Sequence, residues 1–413
     1  MTQPAPQQCR LCAAPLGVLA VDLGMAPLAG TFPRADVSRR MQPFYPLRAF
    51  VCERCLLMQV AQVASEEETF SPDYVWFSSF SEAWLRHARA FAEQMSQDLD
   101  LGAESMVVEV ASNDGHLLER FAERGIQVLG VDPAETVARA AIERGIPTKI
   151  EFFGRDCAAR LAAEGMADLI IANNVIAGVP DLSDFVGGLK LLLREGGTIT
   201  VETLYLPRLL ETRGWDWIYH ENFSYFSAHT AQRLFAAQGL RLFDVEELPT
   251  HGGSLRLYAC HEDDERSSSQ RLEDMLRLEG SRRLQEVDTY RAFGEAVRAD
   301  KRQILSLLIS VKEDGKRIAG YGASVKANTV TNYCGIGSDF LDYCCELDPT
   351  KQGRVLPGSD LPICGVDVLE EDRPDFVLIF PWNHREQIMK QLSFVRSWGG
   401  RFLARTPELR ILD

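Results

Sequence analysis

The sequence predicts an α/β protein built from a small cysteine-bound module, a doubly wound central sheet and a second strand–turn–helix unit near the C-terminus. Three observations carry this. Two CxxC pairs, Cys9–Cys12 and Cys52–Cys55, flank a β-rich insert. Between residues 106 and 204, apolar β-branched runs alternate with stretches of helical periodicity. Near residue 320 a strand again runs through a glycine turn into a helix.

The bulk composition narrows the classes. A chain of 413 residues predicts two or three domains. At 46% hydrophobic and 25% charged it reads as a soluble globular protein. It lacks the run of about 18 apolar residues that a membrane span needs. Its first residues, MTQPAPQQCRLC, lack the basic-then-apolar pattern of a secretory signal. The expectation is a cytoplasmic protein with no membrane partner, and a monomer is favoured. The formal charge of −15 argues against nucleic acid as a partner, which would want a basic surface.

Each CxxC turn brings two thiolates toward one tetrahedral ion, and two turns complete a four-cysteine zinc site. Cys9, Cys12, Cys52 and Cys55 are the expected ligands. With no His or Asp nearby to leave an open position, the metal would be structural. A redox pair is the alternative, but the βαβ context it needs is missing. The strands "GVLAVDLG" and "YPLRAFVC" form the insert. The remaining cysteines, Cys157, Cys260, Cys334, Cys344, Cys345 and Cys364, read as small buried hydrophobes in a reducing compartment.

A helix is expected from about Ser81 to Gln97. "MVVEV" then gives a strand, "ASNDG" a turn, His116 to Arg124 a helix with Leu117, Leu118 and Phe121 on one face, and "QVLGVD" the next strand. "ADLIIANNV", "DLSDFVGGLKLLL" and "GGTITVET" continue as strand, helix, strand. Ligands bind such sheets at the carboxyl ends of the strands. Glu109 and Asp132, 23 residues apart, end the first two strands, and an acidic residue at the second strand end suits a ribose diol. The turn Ala111-Ser112-Asn113-Asp114-Gly115 carries one glycine rather than GxGxxG, so a pyrophosphate has poor access. S-adenosylmethionine fits better than a nicotinamide cofactor; a purely structural turn is the remaining alternative. The expected cofactor contacts are Glu109, Ala111, Ser112, Asn113, Gly115, Asp132, Pro133, Asn173 and Asn174.

From about Ser267 to Lys312, Phe293, Val297, Ile304, Leu308 and Val311 recur at helical spacing, predicting a helical arm between domains. "KRIAGYGASVKANTVTNY" follows as strand, turn and helix, then "FLDYCCELDP" as a strand and "RPDFVLIFPWNHREQI" as strand and helix. The glycine turn and helix N-terminus favour an anion. Ser324, Lys326 and Asn328, with His251 and Arg256 across a cleft, are candidates to bind it.

Five segments occur in an order that resembles the bacterial sugar-nucleotide C-methyltransferases of branched deoxysugar biosynthesis: the CxxC pairs, "EVASNDGHLLERF", "YHENFSYFS", "THGGSLRLY" and "GYGASVKANTVTNYCGI". The resemblance covers nearly the whole chain. It implies a zinc-binding domain (1–72), a class I methyltransferase domain that uses S-adenosylmethionine (73–262), and a helical arm with a Rossmann-like C-terminal domain (263–413). It further implies a nucleoside-diphosphate-linked 4-keto sugar as substrate, deprotonated at the carbon beside the ketone before the enolate takes the methyl group. Tyr74, Ser78 and Ser79 of "DYVWFSSFSEAW" join the candidate substrate contacts. In "WIYHENFSYFS", Tyr219, His220, Glu221 and Asn222 are the candidate catalytic residues. Here the chain departs from the family. The pattern Tyr-x-Glu-His, whose last histidine is the base, ends on Asn222, and a second family histidine is Gly178. O- or N-methylation of a related sugar, or binding without turnover, are therefore the alternatives.

Overall fold

Residues 8–35, 42–63, 77–80, 82–405 and 407–412 are described in the computed structural model of the chain, and their strands fall into three sheets. The alternating apolar run after the first CxxC turn makes β1 (Val18–Ala26), which pairs antiparallel with β2 (Tyr45–Val51); β3 (Met58–Val60) follows the second turn and pairs antiparallel with β2.

The central unit opens with α1 (Glu82–Asp98). It then alternates β4 (Met106–Val110), α2 (His116–Ala122), β5 (Gln127–Val131), α3 (Glu135–Glu143), β6 (Thr148–Lys149), α4 (Arg155–Glu164), β7 (Ala167–Asn173), α5 (Leu182–Leu192) and β8 (Leu193–Leu204). After α6 (Leu206–Glu211), β9 (Ser224–Tyr225) and α7 (Ala228–Ala236), the antiparallel pair β10 (Leu240–Leu248) and β11 (Ser254–His261) completes the sheet. The strand order is β6-β5-β4-β7-β8-β11-β10, parallel except for β11. Helices cover both faces, so β4 and β7 bury Val107, Val108, Leu169, Ile170 and Ile171 completely or nearly so. The direction of winding reverses between β4 and β7, which opens a crevice at their carboxyl ends.

The C-terminal unit begins with α8 (Gln270–Ser281) and α9 (Val287–Glu313). Its sheet is made by β12 (Ile318–Tyr321), β13 (Cys344–Cys345), β14 (Ile363–Cys364), β15 (Phe376–Ile379), β16 (Arg401–Arg405) and β17 (Leu409–Leu412), with α10 (Val325–Cys334), α11 (Asp367–Asp372) and α12 (Arg385–Gln391) between them. The order is β14-β13-β12-β15-β16-β17, parallel until β17 turns back on β16. The second Rossmann-like sheet is therefore present. Its strand in "FLDYCCELDP" is only two residues long.

Two features join the units. β9 leaves the central unit to become the fourth strand of the first sheet, with Met58 opposite Tyr225 and Gln59 opposite Ser224. The long helix α9 is buried along one stripe. Its stripe Phe293, Val297, Ile304 and Leu308 shares one core with Leu23 and Leu47 of the first sheet, Trp215, and Ile318 and Leu378 of the third. Helix and strand backbones touch there, since a Cβ on Gly294 would sit 2.2 Å from the Ala20 carbonyl oxygen. No described helix is long and apolar enough to cross a membrane.

Gly294→Ala should destabilise the fold by about 1–3 kcal/mol through overpacking. Gly280→Ala, on the exposed side of α8 with open space around it, should instead stabilise by about 0.5–1 kcal/mol. Urea unfolding of the two variants checks the contrast; equal effects would contradict the close contact.

Candidate active site

The two CxxC segments fold as matching turns. In the first, Ala13 N–H donates to the Cys9 carbonyl and Cys9 N–H to Ala14; in the second, Leu56 donates to Cys52 and Cys52 to Leu57. Ala13 and Leu56 take positive φ angles of 57° and 66° to close them. The four Sγ atoms converge to within 4.8 Å of one another, with Cys9–Cys55 at 3.4 Å and Cys12–Cys52 at 3.5 Å. A tetrahedral ion with Zn–S near 2.3 Å requires S···S of about 3.8 Å. The donor set therefore fits one zinc ion, closed on all four sides. Gln59 supports it from outside: its Nε2 donates to Cys9 Sγ at 3.2 Å and its Oε1 accepts the Arg10 N–H at 3.0 Å.

At the central crevice, β4 runs into the turn Ala111–Gly115. Ala111, Asn113 and Gly115 have φ of 59°, 51° and 74°, and a Cβ on Gly115 would crowd Ala141 at 3.0 Å and Ile146 at 3.2 Å. Asp132 ties the turn together. Its Oδ2 accepts the Asn113 N–H and its Oδ1 the Ala134 N–H, both at 2.8 Å. Burial raises its pKa, and those two donors pull it back. Glu109 is raised well above the carboxylate range by burial and by the charges of Asp132 and Asp114. Pro133 leads from this strand end into α3. Asn174 adopts φ 56° and donates its N–H to the Glu202 carbonyl at 2.6 Å.

Glu109 Oε2, Ser112 Oγ and Asn173 Oδ1 are buried without a hydrogen bond among the described residues. They belong to three neighbouring stretches at the carboxyl ends of β4 and β7. Buried polar atoms left unbonded in a crevice suit a ligand rich in hydroxyl, amine and carboxylate groups, which is the chemistry of S-adenosylmethionine. Sequence reasoning missed Asp114. It is fully buried, accepts from Arg144 at 3.1 Å and lies 3.3 Å from His116 Nδ1. Burial pushes its pKa up, but His116, Ser79 and Arg144 outweigh that and hold it down. The Ser78 N–H donates to Asn113 Oδ1 at 3.0 Å, and Ser79 Oγ accepts from Arg144 at 3.4 Å. Both serines thus adjoin the turn. Tyr74 lies outside the described residues.

Glu202 stands opposite Asn173 in the sheet. Its Oε2 meets His87 Nε2 at 2.8 Å and Arg256 Nη2 at 3.0 Å, and its Oε1 accepts from Thr250 Oγ1 at 2.7 Å. Burial opposes ionisation, yet these partners hold its pKa at about 2. Arg256 needs correcting as a substrate contact. It is 2% exposed, bonds Glu202 and Glu246, and stacks over Phe91 at 4.4 Å. His251 lies next to this cluster at φ 53°, its ring 5.5 Å from both Trp84 and Trp217. Burial, with the charges of Lys326, His384 and His87 outweighing Glu202, lowers it to about 4, so it is neutral at pH 7. From the C-terminal unit, Lys326 Nζ sits 3.7 Å over the Trp217 ring and bonds Asn383. Burial lowers its pKa to about 7, Arg405 adding to this and Asp216 opposing it. Ser324 caps α10 through the Ala327 N–H at 3.4 Å. Asn328 also needs correcting: it is buried and its Oδ1 accepts from Asn332 at 2.7 Å, inside the unit.

The stretch 217–227 bridges the units. Asn222 N–H closes a turn on the Tyr219 carbonyl at 3.1 Å, and Tyr219 is half-buried. His220 turns into the first sheet, 6.0 Å edge-on from Tyr45, and burial lowers its pKa. Both of its ring nitrogens are buried without a hydrogen bond among the described residues. Glu221 Oε1 accepts the Gly30 N–H at 3.0 Å, leaving Oε2 unbonded among the described residues; burial raises its pKa. Phe223 N–H donates to the Ala177 carbonyl at 2.7 Å. Asn222 and Gly178, the two positions without the expected imidazole, are thus brought side by side.

Three family models match the chain. One described as a zinc binding domain matches residues 9–70, one described as a methyltransferase domain matches 83–245, and one described as a C-methyltransferase C-terminal domain matches 249–407. The C-methyltransferase NovU of Streptomyces niveus is 32% identical over 407 residues, covering 98% of this chain and 97% of that protein. A ubiquinone biosynthesis O-methyltransferase of Leptothrix cholodnii is 35% identical over 105 residues, 24% of this chain and 43% of that one. Among solved structures, magnesium protoporphyrin IX methyltransferase from Synechocystis PCC 6803 covers 48% of this chain and 99% of its own, at 15% identity and a TM-score of 0.35.

Removing the metal with a chelator should cost several kcal/mol; at about 2–4 °C per kcal/mol the melting temperature should fall on the order of 10 °C and recover with added zinc. A melt that ignores the chelator contradicts the site. Glu202 is depressed from an ordinary value of 4.5 to about 2. It therefore stabilises the fold above that ordinary value and loses this as pH falls toward 2. Glu202→Gln should be less stable at pH 7 by roughly 3 kcal/mol, with the gap narrowing in urea titrations as the pH drops below about 4.5.

Proposed function

The chain belongs to the C-methyltransferase family, and on that premise we propose that it transfers the methyl group of S-adenosylmethionine to the carbon beside the keto group of a nucleoside-diphosphate-linked 4-keto-deoxysugar. Its central unit has the class I methyltransferase fold. The observation that carries the reading is the set of unbonded buried polar atoms of Glu109, Ser112 and Asn173 around a turn with one glycine. When bound, S-adenosylmethionine would supply a methyl group on a sulfonium, whose sulfur leaves as a neutral thioether and needs no protonation.

The chain's own residues do the rest. Each Asp132 oxygen takes one backbone N–H and keeps a lone pair for a ribose hydroxyl. Glu109, whose carboxyl is pushed upward by burial and by the charges of Asp132 and Asp114, keeps Oε2 unbonded for the cofactor. Asn173 orients the donor from the next strand end. Trp84, Trp217 and Trp382 keep water from the cleft, which strengthens every charge interaction in it. Lys326, whose charge is cheap to remove there, offers a donor to the sugar's developing oxyanion or to its diphosphate. The Tyr219 hydroxyl is a second donor, and Glu221, anchored on Gly30, sets the turn that carries it.

One observation favours a second reading. With Asn222 and Gly178 adjacent, the pair of positions expected to hold imidazoles holds none, and methyl transfer to a sugar hydroxyl or amine needs less of a base. Incubation with S-adenosylmethionine and matched keto and non-keto nucleotide sugars, read by mass spectrometry, separates the two. A gain of one methyl confined to the 4-keto sugars is expected; gain on the non-keto sugars would transfer the chemistry to a heteroatom. Asp132→Asn should weaken S-adenosylmethionine binding about 10- to 100-fold in calorimetry, the loss of charge from two hydrogen bonds. Unchanged affinity would remove Asp132 from the cofactor site.

A further inference from the structure

We propose that His87 is the group that removes the substrate proton, with Glu202 as its positioning residue, an inference that rests on the carbon-methylation reading above. The chain has seven histidines. Two of them set a ring nitrogen against a buried carboxylate: His116 with Asp114, and His87 with Glu202. His116 is buried behind the cofactor turn. His87 lies in the second turn of α1, half-buried, its ring stacked 5.1 Å from Trp84, whose ring also lies 5.5 Å from His251. His220 packs on the first sheet, and His261 Nε2 is bonded to the Leu193 carbonyl at the opposite end of β8.

The geometry sets the tautomer. Glu202 Oε2 lies 2.8 Å from His87 Nε2 and is ionised by Arg256 and Thr250. Arg256 Nη2 also lies 3.1 Å from Nε2, but it donates to the same Glu202 oxygen at 3.0 Å, and the shorter contact, to the carboxylate, holds the proton on Nε2; among the described residues none bonds Nδ1. The Nδ1 lone pair is then the acceptor. Of the other charged and titratable groups, Arg256 lies against the ring and pairs with Glu246, and His251 meets the same Trp84 ring at 5.5 Å, with Lys326 and His384 acting on His251. In the step, the C–H bond beside the ketone breaks, its electron pair enters the enolate, and the proton goes to Nδ1. The imidazolium faces Glu202, which stays charged. The enolate pair then forms the new carbon–carbon bond as the thioether leaves. This places the base on α1 and accounts for a chain that has Asn222 and Gly178 where imidazoles were expected.

The test is solvent exchange. Full-length protein with S-adenosylhomocysteine in D2O is given thymidine-diphosphate-linked 4-keto-6-deoxyglucose and its 2-deoxy analogue, and deuterium at the carbon beside the ketone is followed by NMR. His87→Gln keeps a donor for Glu202, so the fold should persist, with S-adenosylhomocysteine affinity within about threefold of wild type. Exchange and methyl transfer should both fall about 10²- to 10⁴-fold. His87→Ala should be partly rescued by added imidazole, which a merely structural role would not allow. Exchange by His87→Gln at near the wild-type rate, or no rescue in a folded His87→Ala, overturns the assignment. A wild-type protein that neither exchanges nor methylates either sugar overturns the carbon-methylation reading and this inference with it.

Discussion

Two residue pairs, Met58 with Tyr225 and Gln59 with Ser224, are the constraint on which the rest of the molecule depends. They carry the order of the cysteine clip into the stretch that faces the crevice. Gln59 bonds Cys9 Sγ on one side and stands against Ser224 on the other. Arg10 donates to the Val60 carbonyl at 2.7 Å, and its guanidinium lies 4.9 Å from the Phe223 ring. The first sheet is small, and a metal-closed clip gives it the rigidity that its own core lacks. From Phe223 a single hydrogen bond reaches Ala177, beyond the end of β7. The clip is thus linked through β3 and β9 to the turn that carries Tyr219 and Glu221, and Glu221 is bonded to Gly30 of the segment between β1 and β2.

The second organising fact is where charge is put. Between the central and C-terminal units, His251 packs against Trp84 and Trp217 and Lys326 lies over Trp217 and near Trp382; Lys326, His251 and His384 all have lowered pKa values. Glu202 is kept ionised by partners drawn from α1, β11 and the turn before it. Asp216 is held between Arg405 and the Trp382 indole, which donates to it at 2.6 Å. In a low-dielectric cleft, cations that shed their charge easily cost little to bury, while a carboxylate that stays charged must be fully paired. The arrangement leaves donors and acceptors in the cleft with fixed geometry, the condition for stabilising a developing oxyanion.

The strands and helices of the central unit were readable because a sheet covered on both faces needs near-continuous apolar runs. "MVVEV" coincides with β4, and "ADLIIANNV" contains β7 and overruns it by two residues. The four-cysteine cluster was readable from spacing alone. What escaped was non-local. β9 is two residues long and pairs across more than a hundred and sixty positions, so no period announces it. The stripe on α9 was visible, but not that two sheets would bury it. His87 and Glu202 are 115 residues apart, and a single histidine in an amphipathic helix carries no local signal. Arg256 and Asn328 were misjudged for the converse reason: polar side chains in recognisable segments look available until their internal partners are known.

The most direct measurement of the central claim is the bond made. With S-adenosylmethionine labelled with carbon-13 at the methyl group and a thymidine-diphosphate-linked 4-keto-6-deoxysugar as acceptor, the product's methyl resonance reports the atom to which it is joined. The account predicts a methyl carbon coupled to a quaternary sugar carbon beside the ketone. A methyl resonance in the range of an ether or an N-methyl group would contradict it.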